Sequence, residues 1–238
     1  MEWKIVHIDE TDSTNRWLKA HGEGDMVVVA DYQTAGRGCG ANTWESERGK
    51  NLLFSMLIHP TAIPASRQFL ISMAISVSIA KVISRYVNNV TIKWPNDIYV
   101  GDRKICGILI ENRLQGNSIK DSIIGVGLNV NQLRFVSDAP NPVSLANLTG
   151  RLFDTEALLH ELLETFDAEW EDLEGVRSRY IPLLYRRTGF HRYRDALGEF
   201  FAELVTVEDD GHLLLRQIDG SGHRYAFKEV QFVISPIS

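Results

Sequence analysis

The sequence predicts an α+β fold: a mixed, mostly antiparallel sheet with flanking helices, followed by a small C-terminal β-barrel. Three observations lead there. Strands follow one another closely between Asp97 and Val130, with no crossover helix between them. A long apolar stretch at helical spacing, about 64–86, precedes them. After Gly189 the texture changes to short strands broken by Asp209-Asp210-Gly211 and Asp219-Gly220-Ser221-Gly222. The division expected is residues 1–187 and residues 188–238.

In order along the chain, residues 3–8 read as a short strand, and Asp12-Ser13-Thr14-Asn15 supplies helix-start chemistry. Residues 26–32 and 51–58 read as strands. Within 64–86, Phe69, Leu70, Met73, Val77 and Ala80 mark an amphipathic helix. Residues 97–100 and 103–111 flank Gly101-Asp102, a pair suited to a tight hairpin with positive φ at its first residue. Gln115-Gly116 turns the chain again before 122–130. Because this is a meander, a nucleotide site here would not be of the Rossmann type. Residues 131–147 read as loop. Asp154 caps a helix carrying Leu158, Leu162 and Phe166, which Gly175 interrupts.

Composition narrows the function classes. At 238 residues and 26.9 kDa, the chain can bury a substantial core. A formal net charge of −6 argues against a dedicated nucleic-acid binder. No run reads as long and apolar enough to cross a membrane, and the N-terminus lacks signal-peptide character. Two cysteines, Cys39 and Cys106, are too few for a disulfide framework, and the histidines lack metal-ligand spacing. A cytoplasmic location is expected.

Chemistry-bearing residues cluster in four segments. Lys93-Trp94-Pro95-Asn96-Asp97 is a stiff turn followed by Lys104 at the head of an apolar strand. Lys104 either aims its ammonium at an anion or merely protects a strand end. Asp97 caps the turn, helps hold Mg2+, or accepts a proton from an incoming amine. Gly36-Arg37-Gly38-Cys39-Gly40 is a glycine loop whose backbone amides and arginine suit anionic oxygens, ending at Trp44, a face on which a purine can stack. Gly125 and Gly127 share one face of a strand, and Gly107 lies on the strand before; such glycines admit either a ligand or a packed neighbour. Asn129 either reads an adenine edge or closes a turn. Ser13, Thr14, Asn15 and Gln33 suit an uncharged, urea-like ligand head, and the first three also suit a helix cap.

Taken together and in this order, these segments resemble the catalytic part of the biotin protein ligases. The resemblance spans nearly the whole chain. It implies a catalytic domain related to class II aminoacyl-tRNA synthetases and a C-terminal SH3-like barrel. It implies ATP and biotin as substrates, Mg2+ as a cofactor, and a biotin carboxyl carrier protein domain as acceptor, in a protein that is a monomer or homodimer. Lys104 and Arg37 would be catalytic. Biotin would meet Ser13, Thr14, Asn15, Gln33, Gly36, Arg37, Gly38 and Cys39, with Lys104, Gly107 and Gly125. The adenylate would meet Arg37, Trp44, Lys104, Gly127 and Asn129, and Asp97 would be the metal contact.

Two departures stand out. Many relatives begin with a DNA-binding winged helix, whereas here the matching region starts close to Met1, so a repressor role is not expected. Family loops commonly run Gly-Arg-Gly-Arg-x-Gly-Arg-x-Trp, whereas here Cys39 and Asn42 stand where two cations would be and Ala41 replaces a glycine. The departure implies weaker retention of an adenylate, with Arg48 or Lys50 as compensating cations. The lipoate and octanoate transferases of the same superfamily usually carry Arg-Arg-x-x-Gly-Gly-Gly, which this sequence lacks. Cys39→Arg is expected to slow escape of biotinyl-AMP, measured as release into solution after a single turnover. Equal release rates would remove the loop departure as a cause of weak retention.

Overall fold

The computed structural model describes residues 1–38, 40, 42–136 and 141–234. Its first part runs β1 (Lys4–Thr11), α1 (Thr14–His21), β2 (Met26–Gln33), β3 (Leu52–Ile58), α2 (Phe69–Ile83), β4 (Val90–Lys93), β5 (Asp97–Val100), β6 (Arg103–Gln115) and β7 (Ser118–Leu128). These strands form one seven-stranded sheet in the order β1-β2-β3-β7-β6-β5-β4. All neighbours are antiparallel except β1 and β2, which α1 connects as a short parallel crossover. That crossover and strand β4 are additions to the sequence reading.

Both expected hairpins form for the anticipated reason. Val100 pairs with Arg103 across Gly101 (φ +58), and Gln115 pairs with Ser118 across Gly116 (φ +60). A left-handed first residue matches the twist of the flanking strands, and glycine adopts it without steric cost.

The two faces of the sheet differ. On one, α1 lays Leu18 against Met26, Val28, Leu57 and Ile123. On the other, α2 and α4 (Thr155–Glu171) cover Phe54, Met56, Ile124 and Val126 with Met73, Val77, Leu159 and Phe166. Helix α2 is not the amphipathic helix anticipated: every residue but Phe69 and Lys81 is buried. By length and apolar composition, the helical stretch Ala65–Ile83 could cross a membrane, contrary to the sequence reading. It packs instead as a core helix, sandwiched between the sheet and α4. Glu169 of α4, buried beside it, is neutralised by Lys81 and by Arg179 of α5 (Val176–Tyr180) at 2.6 Å, as a buried carboxylate requires. The end of the stretch expected as loop, residues 145–147, lies instead in α3 (Leu145–Thr149), started by a reciprocal capping box between Ser144 and Asn147.

The remaining strands, β8 (Phe190–Asp195), β9 (Gly198–Val207), β10 (Leu213–Gln217), β11 (Gly222–Tyr225) and β12 (Gln231–Phe232), form an antiparallel sheet in the order β11-β10-β9-β8-β12. It is seated on the first sheet by the turn after β4. Trp94 is buried there, donates from Nε1 to the Gly211 carbonyl (2.9 Å) and meets the Phe227 ring edge-on at 6.2 Å. Tyr180 donates to the Pro95 carbonyl from below (3.0 Å), and Asn96 ties the turn to β6 through the Ile108 carbonyl (2.9 Å).

Trp94→Phe keeps the ring and removes the donor, leaving a buried carbonyl unpaired. Stability is expected to fall by about 1 kcal/mol, with faster proteolytic nicking of residues 190–232. Urea unfolding and limited proteolysis measure this; unchanged nicking would show that Trp94 does not seat the C-terminal sheet.

Candidate functional site

The motif residues converge on the α1 face of the sheet, above β6 and β7. Gly107 stands directly opposite Gly127 in the pairing register, and Gly125 stands between Ser55 and Leu109. Removing three side chains from adjoining positions opens a trough on a face that would otherwise be filled. The trough is in use. A Cβ on Gly125 would lie 2.3 Å from Asn15 Oδ1, one on Gly127 2.4 Å from the Trp44 ring, and one on Gly107 2.8 Å from that ring. None of these positions tolerates even alanine without displacing a neighbour.

A neutral polar cluster occupies the Gly125 end. Gln33 Oε1 accepts from the Thr14 backbone amide (2.9 Å) and faces the Thr14 hydroxyl (3.2 Å). Ser55 Oγ sits between Thr14 Oγ1 (2.7 Å) and Asn15 Oδ1 (2.6 Å). Asn15 Nδ2 donates to Glu111 (2.9 Å) and to the Leu109 carbonyl (3.3 Å). Ser13, Thr14 and Asn15 are buried. Ser13 occupies the N-cap position of α1, yet its side chain makes no capping hydrogen bond. The helix-cap reading therefore does not account for these side chains.

The other end is cationic. Lys104 Nζ lies 2.8 Å from Asp97 and 5.8 Å from the centre of the Trp44 ring. The Gly101 hairpin sets Lys104 at the head of β6 beside Asp97 on β5, so the turn that begins at Lys93 does aim this lysine. Lys93 points elsewhere, over the rings of Tyr99 (5.5 Å) and Phe232 (5.1 Å). Burial pushes its ammonium below the ordinary lysine value, opposed by the charge of Asp97.

The glycine loop folds back as a narrow tongue: Gly38 N–H donates to the Asn42 carbonyl (2.8 Å) and Trp44 N–H to the Gly36 carbonyl (2.9 Å). Arg37 leans toward Glu111 (3.6 Å). Cys39, expected to contact biotin, lies outside the described residues, as does Ala41. Arg48 does not compensate for the missing loop cations. Its guanidinium pairs with Glu10 and covers the Tyr32 ring at 4.8 Å.

Two buried polar atoms at the site have no hydrogen-bond partner: Trp44 Nε1, a donor, and Asn129 Oδ1, an acceptor. Asn129 Nδ2 is fixed by the Val143 carbonyl (3.2 Å), which fixes the direction of the free oxygen. Such atoms cost about 1–3 kcal/mol each when left unpaired. They suit a ligand that presents both an acceptor and a donor. Asp97 does not form a protein-built metal site. Lys104 already engages it, and no group of three or more His, Cys, Asp or Glu side chains able to hold a metal occurs among the described residues. One concavity of ≈ 630 Å³, lined by Tyr86, Asn88, Asp102 and Arg103, shares no residue with this site.

Two members of the cluster were missed in the sequence. Ser55 is a fully buried hydroxyl in the otherwise apolar strand Leu52-Leu53-Phe54-Ser55-Met56-Leu57-Ile58, an anomaly that could have been noticed. Glu111 lies on the same strand face as Gly107 and ties Asn15, Lys19 (2.7 Å) and Arg37 together. Burial works to raise its carboxyl, but hydrogen bonds from Lys19 and Asn15 and the charges of Lys19 and Arg37 hold it below the ordinary 4.5. A carboxyl depressed on folding contributes stability that is complete above its unfolded value and lost as pH falls through its folded value. Glu111→Gln is expected to lower stability by about 0.5–1 kcal/mol near neutral pH, with the gap to wild type closing below about pH 4. Urea titrations at the two pH values measure it, and a gap that survives acidification would exclude the charge of Glu111 as its source.

Comparison with known proteins agrees with this geometry. Residues 7–129 match the Biotin/lipoate A/B protein ligase family. The chain is similar to the bifunctional ligase/repressor BirA of Salmonella typhimurium, 38% identical over 227 residues that cover 87% of this chain and 67% of that one. It is 30% identical over 205 residues to BirA of Bacillus subtilis, covering 82% of this chain but 62% of that protein's length. It is 29% identical over 222 residues to the biotin–acetyl-CoA-carboxylase ligase of Paracoccus denitrificans, covering 87% and 91%. Among solved structures, the biotin protein ligase from Aquifex aeolicus in complex with biotin and ATP has the same fold, with a TM-score of 0.80 at 22% identity over 97% of this chain and 99% of that one. The matched family segment ends at Asn129, so it contains both the neutral cluster and the Lys104 end of the trough, and the chain belongs to the Biotin/lipoate A/B protein ligase family.

Proposed function

We propose that this protein is a biotin protein ligase. It joins biotin to AMP at the expense of ATP, releasing pyrophosphate, and then transfers biotin to a lysine of a biotin carboxyl carrier domain. The observation that carries this reading is the placement of a neutral hydroxyl and amide cluster at Gly125 and a cation at Gly107 along one trough. Positions 125 and 127 lie roughly 7 Å apart along their strand. That suits a ligand with an uncharged ureido head and a carboxylate at the far end of a short apolar chain. The relatives named for biotin favour it over lipoate within a family that contains both.

In the first step a carboxylate oxygen of biotin attacks the α-phosphorus of ATP and pyrophosphate leaves. Lys104 offsets charge on the carboxylate and the phosphoryl oxygens, and Asp97 holds Lys104 in position. Arg37 and the amide of Gly36 close over the phosphate, with Gly38 shaping the loop through its bond to the Asn42 carbonyl. Trp44 and Asn129 hold the adenosine, with Asn129 Oδ1 accepting from the exocyclic amine. Mg2+, supplied with ATP, would offset charge on the nucleotide phosphates, and Asp97 is assigned to Lys104 and not to the metal. In the second step the carrier lysine, as a free amine, attacks the acyl carbon; the acyl–phosphate bond breaks, AMP leaves and the amine gives up a proton. The first sheet with its helices is read as the class II synthetase-like domain, residues 1–187. Residues 188–238 are read as an SH3-like domain, and the cytoplasm as the place of work.

Incubation with biotin, Mg-ATP and an apo carrier domain is expected to yield pyrophosphate, AMP and labelled carrier. Lys104→Ala is expected to lower adenylation at least about a hundredfold, the scale of losing one preorganised cation. Absence of both pyrophosphate and labelled carrier from the wild type would exclude the ligase reading, and preference for lipoate would reassign the substrate.

A further inference from the structure

The C-terminal sheet reaches the glycine loop through Lys228. A Cβ built on Gly40 would lie 2.6 Å from Lys228 Nζ, so the ammonium takes the volume that any side chain at position 40 would need. Gly40 also has φ +72, which glycine adopts freely. Lys228 itself has φ +74, in the left-handed region that lysine rarely enters. Glycine there would relieve the backbone, so the side chain must supply a reason for its presence. Neighbouring Glu229 is turned away, accepting from the backbone amide of Ala226 (2.7 Å). The Lys228 ammonium lies 5.8 Å from the centre of the Phe227 ring, and that ring packs on Trp94. Residues 227 and 228 thus touch both the turn that aims Lys104 and the loop that carries Arg37.

That loop, from Gly36 to Trp44, contains a single cation, Arg37. Arg37 is drawn toward Glu111.

We propose that Lys228 is a phosphate-binding residue of the adenylation site, supplied by the C-terminal sheet. It brings to Gly40 the positive charge that the loop's own sequence omits, and its ligand is the triphosphate of the nucleotide and then the phosphate of the acyl-adenylate. A compact ammonium on a four-carbon stem can follow the phosphate from one state to the next. The proposal rests on the ligase reading above and assigns the C-terminal sheet a direct part in nucleotide binding.

Full-length Lys228→Gln, Lys228→Gly and Lys228→Arg test it. Pyrophosphate release against ATP concentration is measured at saturating biotin, with biotin binding without ATP and the melting temperature as companions. The Gln and Gly variants are expected to raise KM for ATP about tenfold, the scale of one charge-assisted contact. Biotin binding should be unchanged, and Lys228→Arg should stay close to wild type. Lys228→Gly should show its defect without a lower melting temperature, which separates loss of a charge from loss of structure. Unchanged KM for ATP in both neutral variants would overturn the proposal, as would an equal defect in Lys228→Arg. Should the wild type release no pyrophosphate, the ligase reading fails by itself. Calorimetric titration of wild type and Lys228→Gln with Mg-ATP then decides the present proposal, and equal affinities would overturn it.

Discussion

The facing glycines of β6 and β7 are the constraint on which the rest of the site depends. A central antiparallel pair normally covers both faces with side chains, and the α2 side of this sheet does so with Ile124 and Val126. On the α1 side, Gly107 meets Gly127 directly and Gly125 follows two residues earlier on its strand. The resulting trough lets Asn15 and Trp44 lie close against the backbone. Glycines weaken a strand, yet this pair is held on one side by β3 and on the other by β5, so the cost is borne by the middle of a seven-stranded sheet. The opening sits where the surrounding ladder is most complete.

The trough then dictates the character of what lines it. Asn15 is held flat over Gly125 by Glu111 and the Leu109 carbonyl, and Ser55 joins it to Thr14 and Gln33. Thr14, Asn15, Gln33 and Ser55 each have a partner, and the network ends in the Glu111 carboxylate with its two cations. A connected network of this kind is rigid, because losing any member leaves the next one unsatisfied in a low-dielectric setting. Two site atoms without partners, Trp44 Nε1 and Asn129 Oδ1, lie beyond it. The site thus combines a closed network at the Gly125 end with open valences elsewhere, the division expected of a pocket that holds one ligand head fixed and exchanges a nucleotide.

Much of the fold was legible because its signals are local. Gly101 and Gly116 carry positive φ at the turns where the sequence demands it, and the apolar runs of β3, β6 and β7 have strand length. Strand β4 was missed because Val90–Lys93 is short and its pairing with β5 is a tertiary fact. Helix α3 was hidden by a polar, proline-containing stretch in which only the Ser144–Asn147 box marks a helix. The burial of α2 could not be read from periodicity, since a helix covered by a sheet on one side and α4 on the other has no polar face to reveal. The site residues were legible as a set through the order of their segments. The partners of those residues were not: Ser55 and Glu111 lie outside the motifs and meet the site through pairing across the sheet. Arg48, assigned to the loop by nearness in sequence, serves Glu10 instead, which shows how little sequence distance says about which cation a loop will find.

The segment Lys93–Asp97 ties these layers together. Trp94 faces the C-terminal sheet, Asn96 faces β6, and Asp97 faces Lys104, so one turn fixes three separate relations. Movement of the C-terminal sheet would pass through the Trp94–Phe227 contact to the turn, and from there to Lys104. The same movement would carry Lys228 away from Gly40. Lys104 and Lys228 therefore share one mechanical support. That arrangement gives the appended sheet a reason to be packed into the continuous core through Tyr193, Leu204 and Val207 rather than hung from it by a linker.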